Sequence, residues 1–159
     1  LAAAEESIVE YKPREHFPAC FEKAITDLFV ETLKACNYEN FVGGQFSLQS
    51  FDVIVNAKKK ANYGKGYRAF LNVTLAIVMR NYLSNYGKFS PRLLIIDSPL
   101  LSLEQGVSDA APESMKAALI EYLMKNQTVG QTIIIEQKAK ATDVTACLPM
   151  CMIKLKFEE

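Results

Sequence analysis

The sequence predicts an α/β fold, on three observations. Two short apolar runs, Leu93-Leu94-Ile95-Ile96 and Thr132-Ile133-Ile134-Ile135, flank a helical pattern. Runs without alternation belong to strands buried on both faces, and strand, helix, strand in that order is a βαβ unit with parallel strands and a right-handed crossover. Upstream, Phe46 and Leu48, then Phe51, Val53 and Val55, alternate with polar residues, the period-2 mark of strands with one face buried. Finally, 159 residues, 50% hydrophobic and 23% charged with 7 Gly and 6 Pro, suit one domain or lobe and exclude a disordered, collagen-like or low-complexity chain.

The elements follow in order. Over about 15–36, Phe17, Phe21, Ile25, Leu28, Phe29, Leu33 and Cys36 recur at three- and four-residue steps, with Glu22, Lys23, Asp27 and Glu31 opposite, which predicts an amphipathic helix. Gly43-Gly44 closes a loop before the two short strands. Asn56 to Tyr63 reads as a polar loop, and Gly64-Lys65-Gly66 opens an apolar helix from about Tyr67 to Tyr86 that stops at Gly87. After the first apolar run ends at Asp97, Pro112 suits a first helical turn. Met115, Ala118, Leu119, Tyr122 and Leu123 then mark a helix to about Asn126. Gly130 breaks it before the second run. Cys151, Ile153, Leu155 and Phe157 alternate with Met150, Met152, Lys154 and Lys156, an expected edge strand. The expected organisation is a single lobe, 1–159: a first helical part over 1–36, a central part over 40–140 and an edge strand within 141–159.

Charge narrows the function classes. Lys plus Arg and Asp plus Glu are each 18, so no whole-molecule field draws the chain to nucleic acid or anionic membrane, and such affinity requires a local patch. Lys58-Lys59-Lys60 is such a run; at zero net charge it reads as a solvated loop ahead of a nucleic-acid contact. Four cysteines (Cys20, Cys36, Cys147, Cys151) without a C-x-x-C pair, and one histidine, His16, leave zinc schemes short of ligands. Buried, reduced cysteines in a cytoplasmic protein are expected. The start, Leu-Ala-Ala-Ala-Glu-Glu, lacks the features of a signal peptide. Asn72, Thr74 and Arg80 interrupt the most apolar helix, so no membrane partner is expected.

Chemistry is expected at the carboxyl ends of the strands. Asp97 closes the first run and Glu136 the second. An acidic residue ending a buried strand is the Walker B arrangement, whose carboxylate holds the Mg²⁺ of a nucleotide; it also serves, in many α/β domains, only to cap the next loop. Gly64 and Gly66 at a helix start allow close backbone approach to phosphate, with Lys65 and Arg68 adding charge; the alternative is a glycine needed for a turn. A Walker A loop, G-x-x-x-x-G-K-[ST], is missing, which excludes an autonomous P-loop enzyme.

The order Tyr63-Gly64-Lys65-Gly66-Tyr67-Arg68-Ala69-Phe70-Leu71-Asn72, Leu93-Leu94-Ile95-Ile96-Asp97-Ser98-Pro99-Leu100, Gly130-Gln131-Thr132-Ile133-Ile134-Ile135-Glu136 resembles the C-terminal half of an ABC-type ATPase head. The likeness is to the SMC/RecN-like coiled-coil ATPases and covers roughly residues 15–140. It implies the C-terminal lobe of a P-loop head, with the signature helix, Walker B strand, D-loop and switch strand in this order. It implies ATP and Mg²⁺ as cofactors, and as partners the N-terminal half of the same head, a second head in a homodimer, and DNA in repair, maintenance or defence. A coiled coil would join near Leu1, which matches a chain that starts without Met in a helix-like stretch. By position, Gly64, Lys65 and Gly66, with Arg68, match the signature loop that meets the γ-phosphate of the opposing head; Gly64 replaces the usual Ser and Lys65 the first of two glycines. Asp97 matches the Walker B aspartate and Mg²⁺ ligand, and Leu100 to Glu104 the D-loop. Ser98 stands where most members carry the catalytic Glu, and Glu136 takes the place of the switch His, where it would orient water. Ser98 also favours a second reading, a non-hydrolysing lobe that binds a partner or nucleotide without turnover.

Other chemistries fit less well. Ser98 as a nucleophile needs a histidine, and Asp-Ser-Pro is not the glycine-flanked elbow of hydrolases. His16 reads as a solvated first-turn residue. Glu104, Asp109 and Glu113 form no glycosidase dyad.

Overall fold

The computed structural model describes residues 12–97, 113–126 and 130–135. After a 3-10 turn at Pro13–His16, helix α1 spans Phe21–Ala35. The expected helix starts later than its apolar spacing suggests, because Pro18 has no N–H and disfavours a helical residue before it. Its carbonyl instead accepts from Phe21 N at 2.9 Å. Phe21, Ile25, Phe29 and Leu33 are the buried stripe of α1, four positions at helical spacing.

That stripe meets an antiparallel sheet, β1 (Gly44–Ser47), β2 (Asp52–Val55) and β3 (Lys58–Lys59), in the order β1-β2-β3. Phe46 pairs with Val53, and both face α1 with Val55. Side chains of α1 also satisfy backbone donors of this segment. Phe46 N donates to Thr26 Oγ1 at 3.0 Å and Leu48 N to Glu22 Oε1 at 2.9 Å. Strand β3 lies in what reads as a polar loop. Asn56 and Ala57 both have positive φ, 47° and 60°, which gives the two-residue turn that reverses a hairpin.

Helix α2 spans Lys65–Tyr86 and packs on α1 and the next strand. Phe70, Leu71, Ile77 and Val78 are buried along it. Strand β4 (Leu93–Asp97), helix α3 (Glu113–Lys125) and strand β5 (Gln131–Ile135) form the expected βαβ unit, its strands parallel with Leu93 opposite Gln131 and Asp97 opposite Ile135. Ile96 and Ile134 join Met115, Leu119 and Leu123 in one core with α1 and α2. Burial on both faces does not hold for β4: Leu93 is 50% and Ile95 55% exposed. With side chains alternating along a strand, the described helices cover the face bearing Leu94, Ile96, Thr132 and Ile134. The architecture is mixed α/β, a three-stranded antiparallel and a two-stranded parallel sheet around shared helices.

Two polar ties cross the core. Thr32 Oγ1 and Tyr122 Oη share a hydrogen bond of 3.2 Å between α1 and α3. Arg80, buried on α2, donates from an NH group to Thr132 Oγ1 on β5 at 2.6 Å. Of the cysteines, Cys36 is buried as expected, whereas Cys20 is exposed because it precedes α1 outside its buried stripe; Cys147 and Cys151, with the expected edge strand, lie outside the described residues. Among the described residues no helix is long and apolar enough to cross a membrane.

Candidate functional site

Two places bear the expected chemistry, the start of α2 and the carboxyl end of β4. Gly64 is the N-cap of α2 (φ −59°, ψ 162°) and offers no side chain to the first-turn N–H groups; its carbonyl accepts from Arg68 N at 3.0 Å. The helix begins two residues earlier than expected, so Lys65 and Gly66 belong to its first turn instead of to a preceding loop. Lys65 and Arg68 are exposed, and Gly66 is buried. A helix start with exposed cations and no side-chain cap is a site of positive potential suited to phosphate. Nearby aromatic rings brace it. Tyr38 and Tyr67 meet edge to face at 5.8 Å between centroids, Tyr63 and Tyr67 lie 6.1 Å apart, and Tyr67 Oη donates to Glu39 Oε2 at 2.8 Å. Burial pushes the Tyr38 phenol well above the usual tyrosine range, so it stays neutral beside this end of the helix.

At the other place, Asp97 is the exposed last residue of β4 and pairs with Ile135, the residue before Glu136. The parallel register thus brings Asp97 and the approach to Glu136 to the same end of adjacent strands, which lie about 4.8 Å apart. Ser98, Glu104 and Glu136 themselves lie outside the described residues. No group of three or more His, Cys, Asp or Glu among the described residues could hold a metal alone. Mg²⁺ in nucleotide sites takes one or two carboxylates with phosphate oxygens and water, a set to which an exposed Asp97 fits as one ligand.

Two clefts lie elsewhere among the described residues. One of about 430 Å³ lies between α1 and β1–β2 (Glu22, Thr26, Gln45, Phe46), and one of about 190 Å³ between α1, α2 and α3 (Glu31, Arg80, Asn85, Tyr122).

The three-lysine run is resolved residue by residue. Lys60 pairs with Asp52 at 2.6 Å, Lys58 Nζ sits 4.5 Å from the Tyr63 ring centroid, and Lys58 and Lys59 are exposed on β3. His16 is exposed in the 3-10 turn. The burial of Arg80 has no local sequence signal, because its polar partner Thr132 stands on a strand 52 residues away. Comparison with protein-family models, with curated proteins and with solved structures finds no match.

Proposed function

We propose that this chain is the C-terminal lobe of an SMC/RecN-like ATPase head, which binds and hydrolyses ATP between two heads and couples turnover to a coiled coil acting on DNA. The observation that carries this reading is the parallel β4–α3–β5 unit, with exposed Asp97 in register with the residue before Glu136. The uncapped start of α2 supports it. Bound ATP with Mg²⁺ would supply the phosphoanhydride. The lobe's own groups would do the rest. Asp97 would offer one carboxylate to the cation, Glu136 would orient the attacking water, and Lys65, Arg68 and the α2 N–H groups would offset negative charge on the opposing head's γ-phosphate. Ser98 after Asp97 favours a second reading, a lobe that binds nucleotide or partner without turnover.

Turnover by the protein joined to its N-terminal half decides between them. Asp97→Asn keeps the shape and removes the charge, so turnover falls by at least about ten-fold, or about 1.4 kcal/mol of barrier, with circular dichroism unchanged. Wild-type turnover in Asp97→Asn would make Asp97 a strand cap. No turnover in the joined wild type selects the non-hydrolysing lobe. The chain alone, without a Walker A nest, binds ATP no tighter than about millimolar, or about −4 kcal/mol. Micromolar binding by calorimetry would overturn the split-head reading.

A further inference from the structure

Arg80 is a buried charge to which the ATP reading gives no role. It lies in the core on α2, as Thr132 does on β5. One guanidinium NH group donates to Thr132 Oγ1 at 2.6 Å and another to Asn81 Oδ1 at 3.3 Å. A guanidinium in a core costs stability that a well-packed apolar residue would not, and the best-attested use of such a group is to fix register. Strand β5 presents that choice. Its inner face carries Thr132 and Ile134, paired with Leu94 and Ile96 of β4. Side chains alternate with period two, so a shift of β5 along β4 by two residues keeps each apolar side chain on its own face. Apolar packing is non-directional and discriminates weakly against such a shift. The charge-assisted hydrogen bond discriminates strongly. A two-residue shift puts Gly130 or Ile134 in place of Thr132, and neither has a side-chain oxygen for the guanidinium. The same shift moves the end of β5 by about 7 Å past Asp97. The tight fit of Gly130 against the Arg92 backbone acts in the same sense at the start of the strand.

We propose that Arg80 is a positioning residue, which selects the register of β5 through Thr132 and thereby holds the strand end leading into Glu136 level with Asp97. The proposal rests on the reading of Asp97 and Glu136 as the groups that serve the cation and the attacking water. Arg80 acts at one remove, through a hydroxyl four residues before Glu136.

Nuclear Overhauser contacts between β4 and β5 in the full chain, without nucleotide, read the register. Turnover by the protein joined to its N-terminal half reads the consequence. Thr132→Val keeps the shape and removes the acceptor, whereas Thr132→Ser keeps a hydroxyl. The wild type and Thr132→Ser should show one set of contacts, Leu94 with position 132 and Ile96 with Ile134, as in the structure. Thr132→Val should add a second set with Leu94 beside Ile134. Its kcat should fall about ten-fold or more, with KM for ATP held within about two-fold. Arg80→Met should reproduce both effects, and the double variant should be no worse than either single one, because both remove the same bond. A single wild-type register in Thr132→Val, whatever its stability, overturns the proposal and leaves the bond a packing contact. A shifted register with unchanged kcat overturns the positioning role while the ATP reading stands. No turnover in the joined wild type overturns the hydrolytic reading itself, and the positioning role with it.

Discussion

The antiparallel sheet β1–β3 and the parallel pair β4–β5 each bury one face on helices, but their outer faces differ in kind. On β1 and β2 the outward positions are Gln45, Ser47, Asp52 and Ile54, three polar residues and one half-buried apolar one. On the parallel pair they include Leu93, Ile95, Ile133 and Ile135, with Leu93 and Ile95 half exposed. Antiparallel sheets tolerate a wet face, whereas parallel strands occur covered on both. The difference teaches that the antiparallel part is finished by its own residues, while the outer face of β4 is apolar beyond what solvent favours. The proposed nucleotide chemistry sits at the end of that second part.

Substitutions that separate inner from outer faces sharpen this contrast. Phe29→Ala, fully buried where α1 meets β1, should cost about 3–5 kcal/mol in chemical denaturation. A loss below about 1 kcal/mol would mean that α1 and the antiparallel sheet do not form the core described. In the parallel part, Ile96→Ala on the inner face should cost about 2–5 kcal/mol.

Gly130 tests how β5 is set beside β4. It has φ of +78°, and a Cβ there would overlap the backbone of Arg92, whose carbonyl accepts from Gln131 N at 2.6 Å. Gly130→Ala should cost more than about 1 kcal/mol from the backbone conformation alone, with the overlap adding to it. Hydrogen exchange should rise first in β4 and β5. Uniform exchange across both sheets would show that the two parts unfold as one.

Alkaline pH probes the core at the end of α1. Burial pushes the Cys36 thiol from its ordinary 9.0 up to about 12. The folded chain keeps a proton that the unfolded chain loses, so this contribution is complete below pH 9.0 and disappears as pH rises toward about 12. Burial raises Tyr82 and Tyr38 in the same direction. Cys36→Ala should flatten the fall in stability above pH 9.0; an unchanged slope would assign that fall to the tyrosines. The smallest effect belongs to the outer face. Ile95→Ser should shift stability by no more than about 0.5 kcal/mol, and a cost comparable to that of Ile96→Ala would mean that the outer face is covered in solution.

Much of this was legible in the residue pattern. Period-2 alternation marked Phe46, Val53 and Val55, and the two apolar runs marked a parallel βαβ unit, because these signals come from burial along a single element. Local chemistry also identified the ends: Gly87 after α2, Asp97 closing β4. The misses have two causes, a tight turn without its usual glycine and interactions between residues far apart in sequence. Strand β3 needed Asn56 and Ala57 at positive φ without a glycine. Arg80 and Lys116 are charged yet buried, which periodicity places outside. The candidate site residues rest on the sequence; the structure adds that Asp97 is exposed and opposite Ile135, and that Gly64 opens α2.

Residue order alone established the α/β class, the strand that ends in Asp97 and the glycine that opens α2, since each follows from the conformational preferences of neighbours in the chain. Three dimensions were needed for the rest. Only packing exposes one face of β4, ties Arg80 to Thr132, and sets Lys60 against Asp52 while Lys58 lies over the Tyr63 ring. Net charge cannot reveal such pairings, because electrostatic attraction depends on where charges stand and falls off within about 10 Å in salt.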